Sequence, residues 1–258
     1  MFTNVKSLEP AKHGNLRLRD TTDYLFAAQT MMAPVVFSEI ADVALEYPIT
    51  FPSRDDLPLQ VLLGFEKGRN AYVSKDGRWL AKYIPLHFQR YPFALAKRDA
   101  FSPDGKQAYS VVFDTDAPQI SETVGSPLFA PDGEHSPILS DRMQLLEKFQ
   151  KSEIATQRAL SVISGCGLLK PFDLRVRTAT GVVSLTGMRR IDEAMLNSLP
   201  DHNLGELHRS NALALIYAHL ISLPNLKRGP LAGEASGVAT EGLAGTLIIG
   251  DDDMIRFT

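Results

Sequence analysis

Ala71 to Phe93, AYVSKDGRWLAKYIPLHFQRYPF, constrains this chain more than any other stretch, because it holds the only tryptophan, three of the seven tyrosines and a two-residue turn signal. Asp76-Gly77 lies between two runs of strand-forming residues. A type I′ turn needs positive φ at both central residues, and this pair tolerates it, so the sequence predicts a tight hairpin. Pairing Lys75 with Arg78 sets Ser74 opposite Trp79, Val73 opposite Leu80 and Tyr72 opposite Ala81. One face then carries Tyr72, Trp79 and Tyr83, and the other mixes Val73 and Leu80 with Lys75, Arg78 and Lys82. The aromatic face is expected to be buried.

With 258 residues and 44% hydrophobic composition the chain can bury a sizeable core, which excludes disorder for most of it. A net charge of −3, from 27 basic and 30 acidic residues, provides no basic footprint for nucleic acid. MFTNVKSLEPAKHGNLRLRD lacks the basic start and apolar core of a secretory signal, and no run of eighteen apolar residues occurs, so no membrane insertion is expected. Cys166 is the single cysteine. It can form neither an internal disulfide nor a cysteine-based zinc site, in keeping with a reducing compartment, and the expected location is the cytoplasm.

Along the chain, Asn15–Arg19 reads as a short edge strand, and Pro34 opens a helix that Tyr47-Pro48 ends after Glu46. Ile49–Phe51 and Leu59–Phe65 read as strands. Pro85 and Pro92 bracket an irregular bend at His87–Tyr91. Phe93–Phe101 and Ala108–Phe113 form a second hairpin about Pro103-Asp104-Gly105-Lys106. Asp114–Ser140 holds only short pieces, with a turn at Pro131-Asp132-Gly133. Ser140 is expected to cap a helix running to Ser164, stopped by Gly165 or Gly167. A third hairpin follows about Thr180-Gly181, then a short helix over Asp192–Leu199 and a core helix from Asn203 to Ser222. The fold expected is α+β, with antiparallel hairpins in the first half packed with helices from the second. Residues 1–228 form the domain and 229–258 a Gly/Ala-rich tail, in which Leu247–Ile249 suggests a last strand.

Histidines are the first candidates for chemistry. His208 and His219 share one face of the expected last helix, but eleven residues of rise separate them by roughly 16 Å, too far for one metal whose ligands each lie within about 2 Å. His219 reads instead as a satisfied core or interface histidine. Asp114 and Asp116 at a strand end, and Asp251–Asp253, are ordinary turn acids as readily as ligands of a hard cation. Cys166 has no base beside it in sequence and reads as a small buried apolar residue. The phosphate-loop, nucleophile-elbow and dinucleotide-binding glycine patterns are absent, so no cofactor and no metal is expected. What remains is Trp79, Tyr83, Phe88, Arg90, Tyr91 and Phe93, an arginine among aromatics that either fixes the core or presents a peptide-binding platform.

Several of these segments together resemble the bacterial SapC family: YPI at Tyr47–Ile49, LLGF at Leu62–Phe65, DGRW at Asp76–Trp79, YIP at Tyr83–Pro85, RYPF at Arg90–Phe93, LF and DG within Leu128–Gly133, and LH, YAHL and SL between Leu207 and Leu223. The resemblance runs from about His13 to Arg228. It departs at Leu86-His87-Phe88-Gln89 and in the tail. The family takes its name from a surface-layer protein locus, and members are often encoded near TonB-dependent receptors, halogenase-like flavoenzymes and cupin-like oxygenases. The resemblance thus implies a link to surface-protein production and carries over no catalytic residues. Two functions are expected to compete. One is an accessory or recognition protein that binds a surface-protein client or a modifying enzyme through the region from Tyr83 to Phe93. The other is an enzyme acting on such a client, a metal being one option, with Asp114, His208, His219 and Arg90 converging. A closed pocket of convergent polar groups would favour catalysis, and a grooved apolar patch would favour binding.

Overall fold

The computed structural model describes residues 1–101 and 107–240. Its elements run β1 (Val5–Ser7), α1 (Pro10–His13), β2 (Arg17–Leu18), β3 (Met32–Pro34), α2 (Ile40–Glu46), β4 (Ile49–Pro52), β5 (Gln60–Leu62), α3 (Leu86–Gln89), β6 (Phe93–Phe101) and β7 (Gln107–Asp114). There follow β8 (Ile120–Ser121), β9 (Ser126–Pro127), α4 (Pro137–Gly165), β10 (Leu169–Thr178), β11 (Gly181–Ile191), α5 (Glu193–Asn197), α6 (Asp201–Arg209), α7 (Ala212–Ser222), α8 (Gly229–Ala232) and β12 (Ala235–Thr240). Every strand pair is antiparallel, and the chain is an α+β protein. It divides into two compact units, one of Met1–Asp23 with Leu86–Ser152 and one of Tyr24–Pro85 with the residues from Glu153 on.

The first unit carries two three-stranded sheets, ordered β1-β7-β6 and β8-β2-β9. Their core is Leu16, Leu18, Phe93, Phe113, Leu128, Phe129, Leu139 and Leu146. The expected β6-β7 hairpin forms, with Phe93 opposite Phe113, while its turn lies outside the described residues. β2 is the middle strand of its sheet and not an edge. The bend expected at His87–Tyr91 contains the single turn of α3.

The second unit is built on a six-stranded sheet, ordered β12-β10-β11-β4-β5-β3. β10 alternates as a one-sided strand must, with Phe172, Leu174, Val176 and Thr178 buried and Arg175 and Arg177 exposed. The chain after Arg228 is structured as α8 and as β12, which lies against β10. Leu247–Ile249 and Asp251–Asp253 fall outside the described residues.

Four local expectations are corrected. Pro34 ends β3 and opens no helix; α2 starts at Ile40 and stops, as expected, before Tyr47-Pro48. α4 is capped by Ser136 and not Ser140, since Leu139 N–H reaches Ser136 Oγ at 3.4 Å. Its end is the one expected: Leu168 N–H bonds Ile163 O and Gly167 N–H bonds Ser164 O, with Gly167 at φ 67°, a Schellman stop. The helix expected over Asn203–Ser222 is two helices, because Asn211 takes φ 58° between α6 and α7. α7 is not a core helix all round, for Tyr217 and Ile221 are 53% and 62% exposed.

The hairpin at Asp76-Gly77 is corrected in register. Only Val73 and Trp79 form a bridge, one residue off the expected Val73-Leu80 pair. Ser74 N–H bonds Arg78 O, Gly77 N–H bonds Ser74 O, and Ser74 Oγ accepts from Arg78 N–H at 2.9 Å. Lys75, Asp76 and Gly77 are therefore a three-residue loop in which Gly77 alone, at φ 83°, takes the left-handed position. A one-residue shift exchanges faces: Tyr72 is buried, while Trp79 and Tyr83 are half-buried.

Candidate functional site

The candidate aromatics fall in both units. In the second, Trp79 Nε1–H donates to Tyr47 Oη at 2.8 Å, and the Tyr47 hydroxyl donates in turn to the carbonyl of Tyr83. Tyr24 meets the indole edge-on, with ring centroids 5.5 Å apart. Tyr83 Oη–H donates to Glu39 Oε2 at 3.1 Å, and Glu39 Oε1 accepts Val36 N–H at 3.0 Å. Burial holds the Tyr47 and Tyr83 hydroxyls protonated, well above the usual phenol range. This chain of donors ties the loop after α2 to the hairpin, so Trp79 and Tyr83 act here as frame.

In the first unit Phe88, Tyr91 and Phe93 are buried and Arg90 is half-buried. The Arg90 guanidinium lies over two rings, 4.6 Å from the Phe149 centroid and 5.4 Å from that of Phe2. Phe2 also meets Tyr91 edge-on at 5.3 Å. His87 Nδ1 is 3.5 Å from Arg90 Nη2, and burial, with the Arg90 charge adding to it, pushes the His87 pKa down to about 3. The ring is neutral.

Tyr91 Oη–H donates to Asp114 Oδ2 at 3.1 Å, and the same carboxylate accepts the backbone N–H groups of Thr3, Asn4 and Asp116 at 3.0, 3.2 and 3.2 Å. Burial alone would raise the Asp114 pKa. The backbone donors outweigh it and hold the acid below the usual carboxylate range.

His219 sits where β4 and β11 part. β4 and β11 pair at Phe51-Arg189 and Pro52-Met188 and then part. Continued, that register would bring Ile49 opposite Ile191. The imidazole lies between them instead, Nδ1 at 2.8 Å from Ile49 O and Nε2 accepting Ile191 N–H at 3.4 Å. A carbonyl can only accept, so the proton is on Nδ1. Burial, with the Arg190 charge behind it, lowers the pKa to about 4. His219 is thus the satisfied core histidine expected from sequence. His208 is exposed on α6, a different helix, so the two histidines never shared the face that sequence spacing gave them. Among the described residues no three His, Cys, Asp or Glu side chains are placed to hold a metal ion. Cys166 is half-buried, its Sγ 3.4 Å from Asn203 Nδ2.

Sequence reasoning missed two features. One is the seat of Phe2, Thr3 and Asn4 on Arg90, Tyr91 and Asp114. The other is a groove of about 370 Å³ between α5, α6 and α7, lined by Leu196, Leu199, Leu204, Tyr217 and Leu220 with Glu193 and Asn197. The signal for the groove was present: ALALIYAHLIS is apolar on every face, more than one buried stripe needs.

Taken together these features define an α+β protein in which Tyr83, Tyr91, Asp114 and His219 are bonded into the frame and in which the groove between α5, α6 and α7 mixes apolar and polar lining. A family model for SapC matches residues 8–228, and the chain belongs to the SapC family. No curated protein and no solved structure matches it. Among the described residues no helix is long and apolar enough to cross a membrane.

Proposed function

We propose that this protein is an accessory or recognition factor in the production of bacterial surface or outer-membrane proteins, acting by binding a protein partner. The observation that carries the reading is the α5-α7 groove. Leu204, Tyr217 and Ile221 are 44%, 53% and 62% exposed. Exposed apolar surface around a concavity is the mark of a docking site. Tyr217 and Ile221 stand one helical turn apart, the spacing that meets the i and i+4 anchors of another helix. The occupant is therefore a helical partner segment presenting large apolar side chains, with a Lys or Arg toward Glu193. Family membership supports the link to surface-protein production.

Affinity capture from native cell extract, with mass spectrometry, tests this. A chain carrying Leu204→Asp and Tyr217→Asp should keep its thermal midpoint, because both side chains are exposed, and should retain the wild-type partner at least tenfold less. Equal retention by both chains overturns the proposal. A partner whose mass changes on incubation with the chain would establish the enzyme in its place.

A further inference from the structure

The segment Phe2–Ser7 lies on the first unit much as a bound peptide lies on a receptor. β1 contributes nothing to a core: Val5, Lys6 and Ser7 are all exposed, as are Thr3 and Asn4. What holds the segment is mostly main chain, joined by long side-chain bonds from Thr3 Oγ1 to Asp114 and Asp116 and from Asn4 Nδ2 to Asp116, at 3.4 to 3.5 Å. Val5, Lys6 and Ser7 pair with Asp114, Phe113 and Val112 of β7, and Leu8 N–H bonds Val111 O. Thr3 and Asn4 N–H enter the Asp114 carboxylate. Asn4 O accepts from Thr115 N–H at 2.9 Å and from Thr115 Oγ1 at 3.1 Å. The aromatic anchor of the segment is the Phe2 ring on Tyr91 and Arg90. To bring it there, Phe2 adopts φ 57°, a left-handed conformation that an L-residue reaches only at a cost.

We infer that this seat is a strand-addition site for an extended partner segment bearing an aromatic side chain, which residues 2–7 hold in cis until it is displaced. Main-chain pairing is indifferent to sequence, so an extended segment of any sequence pairs with β7, and selection falls first to the aromatic anchor and second to polar side chains facing Asp114 and Asp116. The occupant in cis is strained at Phe2 and buries little apolar surface, which places it among the parts of a fold that open first. Its hold comes from tethering, with an effective concentration of about millimolar. A better anchored segment overcomes that. The site lies apart in sequence from the α5-α7 groove and stands or falls independently of it.

The test uses the full chain and a fluorescently labelled synthetic peptide of residues 1–9, read by anisotropy. Phe2→Ala in the chain removes the anchor in cis and leaves Arg90, Tyr91 and Asp114 in place. The variant should bind the peptide at least tenfold more tightly than the wild-type chain does. A peptide carrying its own Phe2→Ala should lose at least tenfold on the variant. Hydrogen exchange of the Thr3–Ser7 amides should rise at least tenfold in the variant, with the β6 amides unchanged. Equal peptide affinity for both chains, or indifference to the peptide's Phe2, overturns the inference. So does a variant that pairs with a second copy of itself and excludes the peptide.

Discussion

Asp114 shows how a residue that looks catalytic in sequence becomes structural in space. It follows the apolar run at the end of β7 and is 1% exposed, yet each oxygen is met by donors, three backbone N–H groups and the Tyr91 hydroxyl. Asp114→Asn would turn an NH₂ group toward that ring of donors and remove the charge that makes the bonds strong. A loss of about 2 kcal/mol at neutral pH is expected, read as a lower urea midpoint, because buried donors are left unsatisfied. An unchanged midpoint would mean that the carboxylate does not hold this corner. The sign with pH follows from the lowered pKa: the contribution is complete above the ordinary carboxylate range and is lost as pH falls through the folded value.

At the scale of elements, Gly77 decides the hairpin. Only this residue of the loop takes positive φ, so Gly77→Ala should cost about 1–2 kcal/mol through strain alone. Gly165 is the control: it ends α4 without positive φ and has no atom within 4 Å of an added Cβ, so Gly165→Ala should leave stability unchanged or slightly raised. Thermal melts followed by the fluorescence of Trp79 compare the two, and equal midpoints would defeat the assigned register. The same elements show what the sequence made legible. Asp-Gly located the turn, but two loop lengths fit that dipeptide, and the Ser74 hydroxyl that closes the longer one carries no periodic signal. The end of α4 was legible because a left-handed glycine closes a Schellman motif. The break before α7 was not, since Asn211 reaches the left-handed region without the glycine or proline that normally announces it. β1 was illegible for another reason: with every side chain exposed it lacks alternation, and its partner β7 lies more than a hundred residues on.

At the scale of the whole molecule, both units enclose a neutral histidine, His87 in one and His219 in the other, with pKa values pushed down to about 3 and about 4. In the unfolded chain both titrate near the ordinary value of about 6.5. Between these values the unfolded state binds protons that the folded state refuses, so stability is complete above about pH 6.5 and declines as the pH falls toward about 4. For the fully buried His219 the loss is on the order of 3 kcal/mol across that window. The lowered carboxylates, Asp55, Asp114 and Asp192, act in the same direction but only further down, as they take up protons. Acid should therefore unfold the protein in two stages, the histidine stage first. His219→Gln separates them. It removes the titrating ring from between Ile49 and Ile191, so the variant should be less stable at neutral pH while losing less between about pH 6.5 and about pH 4. Urea midpoints for both proteins across that range decide it. A wild-type midpoint that stays level down to about pH 4.5, or a variant with the wild-type slope, would show that the ring is not held neutral where the sheet parts, and that the opening between β4 and β11 is bridged by something other than His219.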